Sequence, residues 1–153
     1  MFAVILRFSR LTPLLGLLFA PLHAGDDIVH SRIAGLRDLG AAFKNVNDEL
    51  KSDTPQLIVI QLAARQIRDT ARNQYNWFPA GSGPQPGVKT RAKSEVWTRA
   101  GEFKTAQDSF ATEAAAFFQV VAGGDVANIR ARSKLLGAVC KNCHETFRAP
   151  EED

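Results

Sequence analysis

The sequence predicts an all-α fold, an antiparallel four-helix bundle, and three observations do so. Apolar residues recur at alternating spacings of three and four along four successive stretches. Cap residues, prolines and a glycine pair punctuate the joints between them. No stretch alternates in the manner of a half-buried strand. At 153 residues the chain is long enough for one domain with a real core.

The first 24 residues stand apart from that domain. Arg7 and Arg10 lie before an apolar run from Leu11 to Leu22, and Leu22-His23-Ala24 offers a small residue for cleavage before Gly25. A charged start, an apolar middle and a cut site make residues 1–24 a signal peptide and residues 25–153 the mature domain. An uncleaved anchor is the weaker alternative. A bilayer takes about 20 apolar residues, and Pro13 and Pro21 interrupt this run. Losing the leader removes two arginines and no acid, so 19 basic against 16 acidic side chains becomes near balance. No basic patch points to nucleic acid; Arg130, Arg132 and Lys134 read as a solvated helix face.

The first helix is expected from about Asp26 to Lys51, with Leu36, Leu39, Phe43, Val46 and Leu50 as its stripe. Asp53-Thr54-Pro55 reads as a cap followed by proline at the first helical position, opening the second. That helix continues through Leu57, Ile60, Ala64, Ile67 and Ala71. Residues 76–93 hold Gly81, Gly83, Gly87, Pro79, Pro84 and Pro86 and form an irregular excursion. Trp77-Phe78 at its entry needs burial, in the core or against a cofactor edge. The third helix starts near Ser94 and aligns Trp97, Ala100, Phe103, Phe110, Ala114, Phe117 and Val121. Gly123-Gly124 ends it, and Asp125 caps the fourth. The fourth carries Val126, Ile129, Ser133, Leu136, Cys140, Cys143 and Phe147 on its inward stripe.

Cys140-Lys141-Asn142-Cys143-His144 is a C-x-x-C-H motif, the attachment signature of a c-type haem. Each thiol can form a thioether to a porphyrin vinyl group, and the adjacent imidazole can bind the iron. Cys140 and Cys143 are one turn apart, and His144 follows Cys140 by four residues on the same surface. A disulfide or a redox dithiol is the bland alternative, but a dithiol of that kind opens a helix in a βαβ setting. Zinc would need more ligands than the two histidines, His30 and His144, that remain beyond the leader. One covalent haem c per chain is therefore expected.

Over the whole mature chain the sequence resembles the class II c-type cytochromes, which include cytochrome c′. The marks are Cys-Lys-Asn-Cys-His-Glu-Thr-Phe-Arg at 140–148, Phe-Pro-Ala-Gly-Ser-Gly at 78–83, Thr-Arg-Ala-Lys-Ser-Glu-Val-Trp at 90–97, and Arg32 in helix one. The haem motif on the last helix is the class II position. The resemblance implies a bundle with His144 below the iron, and the face above it decides the chemistry. Low-spin members place a methionine there, four residues after the arginine that matches Arg32; here that position is Leu36. Met1 is the only methionine and goes with the leader. His30 lies about 120° around the helix from Leu36, at 100° per residue, and is a poor sixth ligand.

A five-coordinate, high-spin iron under a leucine lid is the expectation; a low-spin, six-coordinate electron carrier is the alternative. The resemblance further implies NO and CO as small gas ligands, a redox partner protein and a homodimer; the leader points to the periplasm, with no membrane attachment once it is cut. Enzymatic turnover has no acid–base pair to support it. Arg148 would sit beside the proximal histidine, where its charge also favours the helix end by about 0.3–1 kcal/mol. Arg32, and more weakly Thr90, would meet a haem propionate. The glutamine that often follows that arginine is Ile33 here.

Overall fold

The computed structural model describes residues 24–85 and 88–150. The expected leader, but for Ala24, lies outside the described residues. Four long helices carry the fold: α1 (Ala24–Lys51), α2 (Leu57–Asn73), α4 (Ala100–Ala122) and α5 (Val126–Phe147), with a single turn α3 (Glu95–Thr98) before α4. A 3₁₀ turn, Gln74–Asn76, continues α2. Consecutive long helices pack side by side, α1 on α2, α2 on α4 and α4 on α5. The short connections from α1 to α2 and from α4 to α5 make those neighbours antiparallel. The closing edge between α1 and α5 is the sparsest of the four.

The three-four stripes bury over most of their length, with Leu36 and Ala100 exposed. Val46, Ile60, Ile67, Phe117, Ile129 and Leu136 are fully enclosed in one core. Removing a side chain such as Phe117 from such a core costs about 3–5 kcal/mol. Gly124 takes φ +75°, the left-handed conformation that ends the α4 connection. Asp125 then accepts from the Ala127 and Asn128 backbone N–H groups at 2.8 and 3.1 Å and starts α5.

Two boundaries differ from expectation. α2 opens at Leu57 behind Gln56, with no side-chain cap, and Asp53 and Pro55 stay in the connection. The Glu49 carboxylate, on α1, accepts from the Gln56 N–H at 2.8 Å, so the preceding helix caps the next one. The expected third helix is broken at Arg99 (φ −118°, ψ 45°), which separates α3 from α4. Trp97 Nε1 donates to Pro79 O at 2.9 Å, and the break lets that ring turn to the excursion while α4 follows the bundle. Ala100 is accordingly exposed. The buried Gln107 stands on the inner face of α4 and exchanges amide–carbonyl bonds of 3.4 Å with Gln74.

Candidate haem site

The register between α1 and α5 defines the site. Phe43 rests on the bare backbone of Gly137, where an added Cβ would lie 3.3 Å from its Cζ. One turn along, Ser133 Oγ donates to Asn47 Oδ1 at 3.1 Å, and beyond it Arg130 donates to Leu50 O at 2.6 Å. Each step forward along α1 is matched by an equal step back along α5. Carried on in equal steps the other way, this register would pair Gly40 with Cys140 and Leu36 with His144. A Cβ on Gly40 would meet nothing within 4 Å. Leu36 is 38% exposed, whereas Leu39 and Phe43 are partly buried and Val46 and Leu50 buried on the same stripe.

The two thiols lie on the seam between two apolar clusters. Cys140 packs on the main core, whereas Cys143 packs on a cluster of Val96, Phe103 and Phe147. In that cluster Phe103 meets Phe78 edge-on at 4.8 Å and Phe147 at 5.1 Å between centroids, and Phe78 meets Trp97 at 6.3 Å. The aromatic entry to the excursion is thus packed beside the second cysteine. Burial, then the neighbouring Cys143, pushes the Cys140 thiol up to about 11, and burial raises Cys143 as well. Both stay protonated and are inert as free thiolates. His144 is solvent-accessible but partly desolvated, and that desolvation lowers its pKa, followed by the charges of Arg148 and Arg91. The imidazole is held neutral, the form that has a lone pair for a metal.

Arg32 is 1% exposed and pairs with no carboxylate among the described residues. Nη1 donates to Trp77 O at 3.2 Å and Ser82 Oγ at 3.0 Å; Nη2 donates to Ser82 O at 3.0 Å and Thr90 Oγ1 at 3.1 Å. Its guanidinium also stands over Phe78, 4.8 Å from the centroid. Burial lowers its pKa, but an arginine remains charged. The terminal N–H groups thus go to the excursion rather than pointing outward as a free fork. Thr90 shares that network. Gly35, next to Leu36, is where Trp77 closes on α1: a Cβ there would lie 2.5 Å from Trp77 Cη2.

The structure therefore brings Cys140, Cys143 and His144 together on α5, and leaves Leu36 partly exposed on α1. Arg148 ends α5: it lies beyond the helix in extended conformation and donates its N–H to His144 O at 3.0 Å. His30 is exposed. Three contributors were missed. The charge of Arg91, in the excursion, bears on His144, and Gly35 and Gly137 admit Trp77 and Phe43. Only contacts across 42 or more residues mark them.

The donor set fits a porphyrin better than a bare ion. Among the described residues no group of three or more His, Cys, Asp or Glu could hold a metal ion. An apolar seam with two thiols, one neutral imidazole and a buried unpaired cation suits an apolar ring that carries its own metal and anionic edge.

Fold and site together define a four-helix bundle of the c-type cytochrome class. The cytochrome c′ family model matches residues 27–148, and the chain belongs to that family. Cytochrome c′ is itself a standard instance of the bundle, and its cofactor is covalently attached haem c. Cytochrome c′ of Pararhodospirillum photometricum is 43% identical over 72 residues, 46% of this chain and 55% of that protein. Cytochrome c′ of Halomonas halodenitrificans is 30% identical over 131 residues, 81% of this chain and 97% of that protein. With the first relatives, then, the match spans about half their length.

Among solved structures, a cytochrome c′ with ligand-controlled dimer dissociation superposes with a TM-score of 0.78 at 24% identity, over 86% of this chain and all of that one. A ferrous variant of Alcaligenes xylosoxidans cytochrome c prime with bound NO gives 0.75 at 21%, over 85% and 99%. At those identities the likeness shows the fold. Proteins of this family carry haem and bind gases rather than acting as conventional enzymes. Among the described residues no helix is long and apolar enough to cross a membrane.

Proposed function

We propose that the chain is a periplasmic monohaem cytochrome c′, with haem c held by thioethers at Cys140 and Cys143, His144 on one face and Leu36 on the other. The observation that supports this is the α1–α5 register of Phe43–Gly137, Asn47–Ser133 and Leu50–Arg130, which, carried on in equal steps, would bring Leu36 opposite His144. When bound, the haem supplies an iron that can change oxidation state and take a small ligand. The chain decides which ligands arrive. His144, kept neutral by its surroundings, presents a lone pair on the proximal face. Leu36 offers neither lone pair nor hydrogen-bond donor, so it leaves the distal position without a protein ligand and gives bound dioxygen no polar support. It also screens that face, which favours small neutral diatomics such as NO and CO. The buried charge of Arg32 and that of Arg148 would offset the propionates.

Electron carriage to a periplasmic partner is the second use of the same site, and the chain acts as binder or carrier with no turnover of its own. A second copy is the other partner in this account. Titrating the ferrous holoprotein with NO and CO, followed optically, tests it. Saturable binding of both is expected, with dioxygen producing oxidation only. A ferrous protein that binds neither contradicts the proposal.

A further inference from the structure

The excursion is not a passive loop, because one short segment of it bonds to both helices that form the site. Thr90 Oγ1 accepts from Arg32 Nη2 at 3.1 Å, and Arg32 stands on α1 one turn before Leu36. Two residues on, the chain runs antiparallel to the end of α5. Lys93 N donates to Phe147 O at 3.0 Å, and Ala149 N donates to Arg91 O at 2.7 Å, with Ala92 opposite Arg148. Side chains repeat the contact: Arg91 Nε donates to Ala149 O at 3.0 Å and Lys93 Nζ to Glu145 O at 3.1 Å. Thr90 Oγ1 also accepts from Ala92 N at 3.2 Å, which joins the two halves at a single oxygen.

We propose that residues 90–93 are a tie that positions the His144 end of α5 from α1, with Arg32 as its anchor and Thr90 as its joint. Arg32, Thr90 and Arg91 are then positioning residues for His144. α1 and α5 touch only sparsely elsewhere. The Arg32 end is fixed by three further bonds, to Trp77 O, Ser82 Oγ and Ser82 O. A displacement of α1 at Leu36 therefore has a hydrogen-bonded route to Glu145, Phe147 and Ala149, which follow His144. Packed networks with discrete hydrogen bonds are the kind that carry such coupling.

Thr90→Val tests the tie, since it keeps the shape of the side chain and removes the oxygen; Thr90→Ser restores the oxygen. The holoprotein is compared by amide hydrogen exchange, which reports local opening. In Thr90→Val the Lys93 and Ala149 amides are expected to exchange at least tenfold faster, and Thr90→Ser returns them to within twofold of the parent. Exchange within twofold of the parent in Thr90→Val overturns the proposal. Ser82→Ala loosens Arg32 without touching residues 90–93, and covers the case in which Thr90→Val does not fold. It is expected to speed the same two amides about threefold, and no change there is equally fatal. The second readout, a shift of the iron–His144 stretching band in the ferrous protein, rests on the function proposed above. A six-coordinate ferrous spectrum would defeat that function and leave the exchange result to judge the tie.

Discussion

Gly35→Ala sets two effects of known size against each other. Alanine is preferred to glycine inside a helix by about 0.8–1 kcal/mol, and position 35 is well within α1. Against this, the new Cβ would lie 2.5 Å from Trp77 Cη2 and 2.7 Å from Cζ2. Ordinary carbon contacts are about 3.5–4.0 Å, so the indole must move by roughly 1 Å. The Trp77 backbone is held, its N–H by Gln74 O at 3.0 Å and its carbonyl by Arg32, so the shift falls on the side chain. Overpacking of this kind costs about 1–3 kcal/mol. The difference is a net destabilisation of about 1 kcal/mol, or a Tm lowered by about 4 °C for a domain of this size. Urea unfolding of the holoprotein followed by circular dichroism and tryptophan fluorescence measures it. Gly101→Ala is the control, because a Cβ there meets nothing within 4 Å, and it should be neutral or slightly stabilising. A Gly35→Ala protein at least as stable as its parent would refute the close approach of Trp77 to α1.

Arg32→Met removes the buried cation and leaves Trp77 O and Ser82 O without their donor. Stability should fall by about 2–4 kcal/mol in the same assay, and a loss under about 1 kcal/mol would mean the network is dispensable. Asp125→Ala should lose about 1 kcal/mol with the α5 cap, whereas Asp125→Asn should lose little; equal losses would point to charge rather than capping. Asp108 is held below its ordinary 3.8 by hydrogen bonds from Lys104 and then Tyr75, against slight desolvation. Its folded pKa is depressed, so its contribution to stability is present above the unfolded pKa and fades as pH falls through the folded one. Carboxyl NMR titration should find it below 3.8, moving upward in high salt; a value at or above 3.8 would remove the pair. Leu36→Met should turn part of the ferrous protein low-spin, and unchanged optical spectra would separate Leu36 from the distal face.

What could be read from the sequence, and what could not, divides by the range of the forces involved. The stripes of α1, α2, α4 and α5 were legible because burial of one helix face is a local, periodic demand. The Asp125 cap and the Gly123-Gly124 stop were legible for the same reason. The break at Arg99 was not, because the pull on Trp97 comes from Pro79, in the excursion. Nor was the start of α2, since the N–H of Gln56, the residue before it, is satisfied by Glu49 from the helix before. In the site, the pentapeptide of Cys140 to His144 announced the cofactor by itself. The α1–α5 register, the bonds of Arg32 across 45 to 58 residues and the approach of Arg91 to His144 required the fold.

The claim at the centre of this account is that His144 and Leu36 face each other across the haem and that Leu36 gives the iron nothing. The coordination number of the ferrous holoprotein, read by optical and resonance Raman spectra with no added ligand, tests it most directly. A five-coordinate, high-spin spectrum with an iron–histidine band is expected, converting on addition of NO. A six-coordinate, low-spin spectrum in the absence of any ligand would show a protein group where Leu36 should stand, and would contradict it.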